Sequence, residues 1–209
     1  MNNILIFEEF IVSKTIKQNI DKYDSYYQTY GDSRTKSVAW VEENSQDKNF
    51  EIVALNIDDG DSILDYGCGL GDFIQYLDKK GKDVSDYLGV DINKNYIERA
   101  KLYYPENNFK LINRINDISG KYDTVCAIGV FTWFITRKDF IRTIYSLYEA
   151  CNKQVLLTCL YRPYVRDTGY YWKSHYRYYN EELFRTLFPK LDMKFTNKDG
   201  TLLVKINKV

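Results

Sequence analysis

Between residues 60 and 160, short apolar runs alternate with segments whose apolar residues recur at helical spacing. The apolar runs predict five β-strands, at residues 62–66, 87–91, 109–113, 122–128 and 154–160. The run at 122–128 is nearly continuous, which is typical of a strand covered on both faces of a parallel sheet.

Three helices are predicted between these strands: one over residues 72–80, one over 94–103, and one that begins within 136–139. Pro105 prevents the second helix from continuing. The third opens on Thr-Arg-Lys-Asp, which is close to a capping box, and its apolar residues recur at helical spacing up to Tyr148. A further helix over 181–188 is predicted to be capped by Asn180 and ended by Pro189.

The chain closes on two predicted strands, 192–196 and 201–206, joined by a turn at 197–200 that contains Asp-Gly. This dipeptide favours a tight hairpin turn. The alternation of strands and helices, followed by the hairpin, predicts the α/β class. We expect a Rossmann-like, doubly wound sheet of seven strands in which the C-terminal hairpin contributes an antiparallel strand.

The first sixty residues are polar and helix-like, and Ser37 is predicted to cap a helix that continues through Trp40 as far as Leu55. The stretch 44–49 is polar enough to break that helix into two pieces. The sequence shows no internal repeat and no low-complexity linker. We therefore expect one domain over 1–209, with a helical N-terminal cover over 1–58 and an α/β core over 60–209.

Composition and charge narrow the range of functions. The 29 basic and 29 acidic residues give a net charge of zero, which argues against a general nucleic-acid binder held by phosphate contacts. No apolar run is long enough to span a membrane, and Glu8 and Glu9 stand where a secretory signal would be basic and then apolar. The four cysteines form no C-x-x-C pair and the chain has one histidine, so neither a disulfide framework nor a metal site is expected. These features favour a cytoplasmic protein.

The segment with the clearest chemistry is the turn after the first strand, Asp65-Tyr-Gly-Cys-Gly-Leu-Gly71. Its three glycines allow a sharp bend and let a ligand touch bare backbone, and the following helix offers free N–H groups to an anion. Asp91 ends the second strand twenty residues after Gly71, where an acid can accept hydrogen bonds from both hydroxyls of an adenosine ribose.

Three interpretations of this turn compete. A dinucleotide-binding turn needs a small residue at position 72, where this chain has Asp72. The carboxylate of Asp65 would repel a pyrophosphate but suits an ammonium group, so the pattern favours S-adenosylmethionine (SAM). A nucleotide site and a purely structural glycine turn are the two alternatives.

From the glycine turn through Asp91 to the fourth strand, the chain resembles the class I SAM-dependent methyltransferases. The upstream segments 30–33 and 37–40, the latter ending at Trp40, resemble the leader of small bacterial and phage members of that family. The resemblance implies that the glycine turn holds the methionine end of SAM, that Asp91 holds the ribose and Ile92 packs on the adenine, and that Ile128 borders the methionine and the sulfonium. The implied cofactor-binding residues are Trp40, Asp65, Gly67, Cys68, Gly69, Gly71, Asp91, Ile92, Asp117, Ile118 and Ile128.

One position of the family pattern admits two residues. An acid after the third strand often meets the adenine amino group in this family. Asn113 fits by its distance from Phe109, whereas Asp117 fits by residue type, with backbone around Ile118. We favour Asp117 slightly, and a solvated loop acid is the alternative.

The acceptor is the least determined part of the expected reaction. Residues 129–134 lack the proline-containing signature that base methylases often carry after this strand, so a small-molecule acceptor is favoured over nucleic acid. The tyrosine-rich segment 161–179 is the candidate acceptor pocket, with His175 as the leading general base. Tyr161, Tyr171 and Tyr176 are the alternatives. Packing against the body or against a second subunit is the competing role of this segment.

Two other functions stay open at this point. One is a catalytically idle SAM-binding subunit or sensor, and the other is a protein or RNA methyltransferase.

Residues 23–40 are aromatic, precede the sheet and are expected to form a mobile cover over the cofactor, with a plain packed helix as the alternative.

Overall fold

A computed structural model describes residues 17–31, 33–40, 43–133, 137–163 and 178–209 of the chain. Its seven strands are β1 (Asp61–Tyr66), β2 (Val84–Asp91), β3 (Asn108–Leu111), β4 (Tyr122–Ile128), β5 (Cys151–Leu160), β6 (Asp192–Lys198) and β7 (Thr201–Asn207). The helices are α1 (17–30), α2 (Arg34–Ser37), α3 (Glu43–Ala54), α4 (Asp72–Lys79), α5 (Lys94–Tyr103), α6 (Arg137–Ala150) and α7 (Glu181–Leu187). Two short 3-10 turns cover Ile115–Asp117 and Val130–Trp133.

The seven strands form one sheet in the order β3-β2-β1-β4-β5-β7-β6. Strands β1 to β5 pair in parallel, and β7 runs antiparallel between β5 and β6. The predicted doubly wound α/β sheet with its antiparallel hairpin strand is therefore confirmed. The chain starts in the middle of the sheet, builds outward to β3, and returns to the other side of β1 with β4. Such a reversal leaves a crevice at the carboxyl ends of β1 and β4, where open α/β sheets bind ligands.

The two faces of the sheet carry separate apolar clusters, because side chains alternate along each strand. Leu64 and Val125 belong to the face covered by α6 and α7, whereas Ile63 and Cys126 belong to the face covered by α3, α4 and α5. All four of these side chains are buried. The near-continuous apolar run of β4 follows from this arrangement, since both of its faces lie inside the protein.

Several local signals act as the sequence predicts. Asn180 caps α7, because its side-chain oxygen accepts a hydrogen bond of 2.9 Å from the backbone N–H of Leu183. Asp199 and Gly200 both have positive φ, 50° and 79°, as a tight two-residue hairpin turn requires. Predicted bounds differ elsewhere: β2 begins at Val84 and β5 at Cys151, three residues earlier than expected in each case, and β3 ends at Leu111.

The prediction for the N-terminal helix was wrong. Ser37 is the last residue of the four-residue helix α2 and does not precede a helix that runs through Trp40. The polar stretch 44–49 lies inside the continuous helix α3. The helix persists there because Asn49 donates to the Ser45 carbonyl within it (2.8 Å) and because Phe50 and Val53 are buried against the sheet. Tertiary burial outweighs the low intrinsic helix preference of asparagine.

Within the part of the chain that the structure describes, none of the helices is both long and apolar enough to cross a membrane.

Candidate functional site

The turn after β1 is built in a way that only glycine tolerates. Gly67, Gly69 and Gly71 have φ of 78°, 55° and 80°, a left-handed region that residues with a Cβ rarely adopt. A Cβ on Gly67 would also lie 2.5 Å from a Val130 methyl carbon, and one on Gly71 would lie 2.8 Å from the Phe109 ring. Steric crowding from β3 and β4 therefore adds to the backbone requirement.

Asp91 ties this turn to the end of β2. One carboxylate oxygen of Asp91 accepts a hydrogen bond from the backbone N–H of Gly69 (3.0 Å), and the other accepts from the N–H of Asn93 (2.8 Å). Burial raises the pKa of Asp91, and the hydrogen bonds from Asn93 and Gly69 partly offset that rise. The N–H of Ile92 also interacts with this carboxylate, which has about four acceptor positions in all, so it can still accept a hydrogen bond from a ligand.

Asp65 is the most deeply buried acid near the turn, at 2% exposure. Burial raises its pKa from 3.8 to about 7, and repulsion from Asp91 and Asp72 contributes to the rise. The Tyr87 hydroxyl donates a 2.8 Å hydrogen bond to one oxygen of Asp65 and works in the opposite direction. Near neutral pH the Asp65 carboxyl therefore exchanges readily between its neutral and charged forms.

A cavity of about 280 Å³ opens at this edge of the sheet, between the turn after β1, the end of β4 and the N-terminal helices. Eight of the predicted cofactor residues line it: Trp40, Asp65, Gly67, Cys68, Gly69, Asp91, Ile92 and Ile128. The structure thus brings together residues from three strands and from the N-terminal segment around one volume. Gly71 does not line it, and its role is to pack beneath Phe109.

The loop after β3 places its two candidate residues differently with respect to the cavity. Asn113, Arg114 and Ile115 lie on the wall of the cavity, whereas Asp117 and Ile118 do not. The carboxylate of Asp117 accepts hydrogen bonds from the backbone N–H groups of Asn113 (2.9 Å) and Arg114 (3.2 Å), which lowers its pKa. Asp117 therefore closes its own turn, and Asn113 takes the position facing the cavity.

Part of the N-terminal segment lines the cavity. Asn19 and Tyr23 of α1 line it, and so do Val38 and Trp40. The Trp40 ring packs so closely on the end of β4 that a Cβ at Gly129 would lie 3.0 Å from it. Ala39, between Val38 and Trp40, has a φ of 67°, an unusual conformation for a residue with a Cβ.

The predicted acceptor residues are only partly described. Tyr171, His175 and Tyr176 lie in 164–177, outside the described residues. Tyr161 is half-buried, pairs with Tyr179 through the backbone, and does not line the cavity. The Tyr179 hydroxyl donates to the carbonyl of Phe131, which follows β4 (2.8 Å). Because Tyr161 and Tyr179 are paired, both ends of the segment 161–179 lie close to the carboxyl edge of the sheet.

Several cavity residues were missed by the sequence analysis. Gln46 and Phe50 reach the cavity from α3, and Asp139, Arg142 and Thr143 reach it from the first turns of α6. The spacing of Gln46 and Phe50, four residues apart, places them on one helical face and was the available signal. Among the described residues, no cluster of histidine, cysteine, aspartate and glutamate could hold a metal ion.

Comparison with known proteins agrees with this geometry. A family model described as a methyltransferase domain matches residues 41–194, about three quarters of the chain. "Putative methyltransferase 235L" of Invertebrate iridescent virus 6 is 29% identical over 114 residues, which cover 54% of this chain and 42% of that protein. The match therefore spans less than half of the viral relative.

Solved structures share the fold at low sequence identity. Magnesium protoporphyrin IX methyltransferase from Synechocystis PCC 6803, solved with bound SAM, has a TM-score of 0.62 at 17% identity, covering 90% of this chain and 91% of that chain. A methyltransferase of Haloferax volcanii, solved as a complex with the activator Trm112, has a TM-score of 0.62 at 15% identity, covering 88% of this chain and 96% of that chain.

Proposed function

This chain belongs to the methyltransferase-domain family of class I SAM-dependent enzymes, and we propose that it transfers the SAM methyl group to a small-molecule acceptor. The observation that carries the proposal is the contact between the Asp91 carboxylate and the Gly69 N–H (3.0 Å) on the wall of the cavity. This contact joins a ribose-binding acid to a glycine turn at the carboxyl edge of a parallel sheet.

The residues of the cavity fit SAM. Asp91 would accept hydrogen bonds from the ribose hydroxyls, and Ile92 offers an apolar surface to the adenine. Gly67 and Gly69 line the cavity without side chains, so the methionine end could approach the backbone of the turn directly. Asp65 supplies a carboxylate for the ammonium group and is buried enough to hold it in a weakly screening environment.

SAM supplies a methyl group on a positively charged sulfur, which is already a good leaving group. The protein therefore mainly has to orient the acceptor and exclude water. Trp40 packed on Gly129 and Val38 above Gly69 close the cavity from the N-terminal side. Their apolar surfaces keep water away from the end of β4.

A small-molecule acceptor is supported by the net charge of zero, which offers no general attraction to a nucleic-acid backbone. The cavity is also lined by both Asp139 and Arg142 beyond the residues assigned to SAM. These opposite charges suit a compact polar acceptor better than a uniformly anionic polymer. We assign His175 and Tyr161 to the acceptor side as candidate general bases.

The domain limits and the location belong to the same proposal. Residues 1–58 form the cover and 60–209 the SAM-binding core of a single domain. A cytoplasmic location is supported by the four cysteines, all of which are buried and free.

The proposal is tested by incubating the purified protein with SAM labelled on its methyl group and with fractionated cell extract. S-adenosylhomocysteine (SAH) formation and label in the small-molecule, protein and RNA fractions are measured separately. Asp91→Ala is the loss-of-function variant. Asp86→Ala is the matched control, because Asp86 lies on the same strand but is exposed.

We expect SAH formation and labelled small molecules with the wild-type protein and Asp86→Ala, and roughly tenfold to a hundredfold less of both with Asp91→Ala when SAM is kept below saturation. Label confined to protein or RNA would overturn the small-molecule acceptor. SAH binding without transfer to any fraction would instead indicate an idle SAM-binding subunit.

A further inference from the structure

Helix α1 is attached to the same turn that holds the ribose-binding acid. One carboxylate oxygen of Asp24 accepts hydrogen bonds from the side-chain amides of Asn93 (2.9 Å) and Asn95 (3.0 Å). The Tyr96 hydroxyl donates to the Ser37 carbonyl (2.6 Å) and lies 3.2 Å from the Tyr23 carbonyl. The first turn of α5 thus binds both α1 and the end of α2.

Asn93 is at the centre of this attachment and has no spare hydrogen-bonding capacity on its oxygen. Its side-chain oxygen caps α5 by accepting from the N–H groups of Asn95 (2.9 Å) and Tyr96 (3.3 Å). Its side-chain nitrogen must therefore point away from the helix, where it donates a hydrogen bond to the Asp24 carboxylate. The backbone N–H of Asn93 donates to Asp91 (2.8 Å), and the residue is 1% exposed.

These contacts form a continuous chain from α1 to the cofactor site: Asp24 to the Asn93 side chain, and the Asn93 backbone to the Asp91 carboxylate. Asn19 and Tyr23 of the same helix line the cavity beside Asp91 and Ile92. A ligand held by Asp91 therefore faces a wall that is present only while α1 is docked. The affinity for that ligand is therefore reduced by whatever fraction of the ligand-free protein has α1 undocked.

We propose that Asp24 is a positioning residue for the cofactor, which couples docking of α1 to SAM binding through Asn93. Asp24 does not line the cavity and acts through the orientation of α1 and of the turn at 93–96. The inference rests on the proposed function, because the bound ligand is SAM or its product SAH.

The test uses SAH, whose affinity for the full-length protein is measured by calorimetry. Asp24→Ala removes the acceptor and should lower SAH affinity about tenfold, within the usual range for coupled sites. Asp24→Asn keeps an oxygen where both amides donate, so its affinity should stay within about threefold of wild type. Asp21→Ala is the matched control, since Asp21 is exposed on the same helix, and it should leave the affinity unchanged.

Asn93→Asp provides the complementary change. Aspartate caps a helix as well as asparagine does, so α5 should keep its cap, but two carboxylates would then face each other at 24 and 93. SAH affinity should fall about tenfold or more. The double variant Asp24→Asn/Asn93→Asp exchanges donor and acceptor between residues 24 and 93, and the exposed Asn95 amide can turn its oxygen toward the new donor. It should restore the affinity to within about threefold of wild type.

The double variant separates two causes of any loss. If Asn93→Asp acted only by placing a negative charge near Asp91, exchanging residue 24 would not restore binding, and the coupling would be disproved. Unchanged SAH affinity in Asp24→Ala, with or without a lower melting temperature, would also overturn it. If instead the wild-type protein failed to bind SAH at all, the proposed function would fail first and the coupling with it.

Discussion

Replacing Asp65 with asparagine should change how the stability of the ligand-free protein responds to pH. Asp65 is 2% exposed, and its pKa rises from 3.8 to about 7 because burial penalises the charged form. Asp65→Asn keeps the shape of the side chain and an oxygen that can accept the hydrogen bond from Tyr87, but it removes the titration. The difference between the two proteins therefore isolates the ionisation of one carboxyl group.

The direction follows from proton binding. Between about pH 4 and pH 7, the folded wild-type protein keeps a proton on Asp65 that the unfolded chain has already released. Raising the pH through this interval therefore lowers the free energy of unfolding of the wild type relative to Asp65→Asn, and the difference levels off above pH 7. A shift of roughly three pKa units corresponds to about 4 kcal/mol in total, of which about 3 kcal/mol falls between pH 5 and pH 8.

Urea unfolding of both proteins at several pH values between about 5 and 8 measures this difference. We expect the variant to gain stability over the wild type as the pH rises, while its affinity for SAH falls because the ammonium group loses its carboxylate. Burial and Asp65 hold the pKa of Tyr87 well above 10, outside this pH range. Asp91 is present in both proteins, so the difference reports the ionisation of Asp65 together with its repulsion of Asp91. Unfolding free energies that change in parallel with pH would refute the buried, protonated Asp65.

Three further predictions concern the cofactor site. Asp91→Ala should weaken SAH binding by roughly tenfold to a hundredfold, equivalent to about 1.5–3 kcal/mol, and calorimetry showing equal affinity for Asp91→Ala and Asp86→Ala would contradict the ribose assignment. Gly67→Ala should destabilise the protein by about 2–4 kcal/mol in urea unfolding, because the new Cβ would lie 2.5 Å from Val130. Gly81→Ala is the control: Gly81 also has a positive φ, 68°, but no atom lies near its Cβ position, so the change should cost only about 1–2 kcal/mol. Hydrogen exchange over residues 23–40 should slow when SAH is added if this segment covers the cofactor, and equal exchange with and without SAH would leave it as a plain packed helix.

Much of the α/β core could be predicted because its signals are local. Helix α5 begins and ends at the predicted residues, 94 and 103, since Asn93 caps it within the sequence. The Asp-Gly turn before β7 needs only two residues with positive φ, and the apolar run of β4 reports burial on both faces. The glycine turn and Asp91 were recognisable for the same reason, because spacing along two adjacent strands largely determines where they meet.

Choices between similar residues needed the tertiary structure. Asn113 and Asp117 are four residues apart, and residue type favoured Asp117. The fold favours Asn113, because it lines the cavity while the Asp117 carboxylate accepts hydrogen bonds from the N–H groups of its own turn. Ser37 is likewise a good capping residue in isolation, but its carbonyl is needed by Tyr96 and its helix ends there.

The sequence predicted a cover over residues 23–40, but it could not predict which residues of the core that cover contacts. Trp40 meets Gly129 across 89 positions, and Asp24 meets Asn93 across 69 positions. Periodicity and capping signals describe the few residues around each position and carry no information about such partners. The sequence alone therefore determined the sheet, its glycine turn and the position of Asp91. The packing of α1, α2 and Trp40 over that turn was decided by the tertiary structure, because it depends on which apolar surfaces of the folded core remain exposed beside the turn.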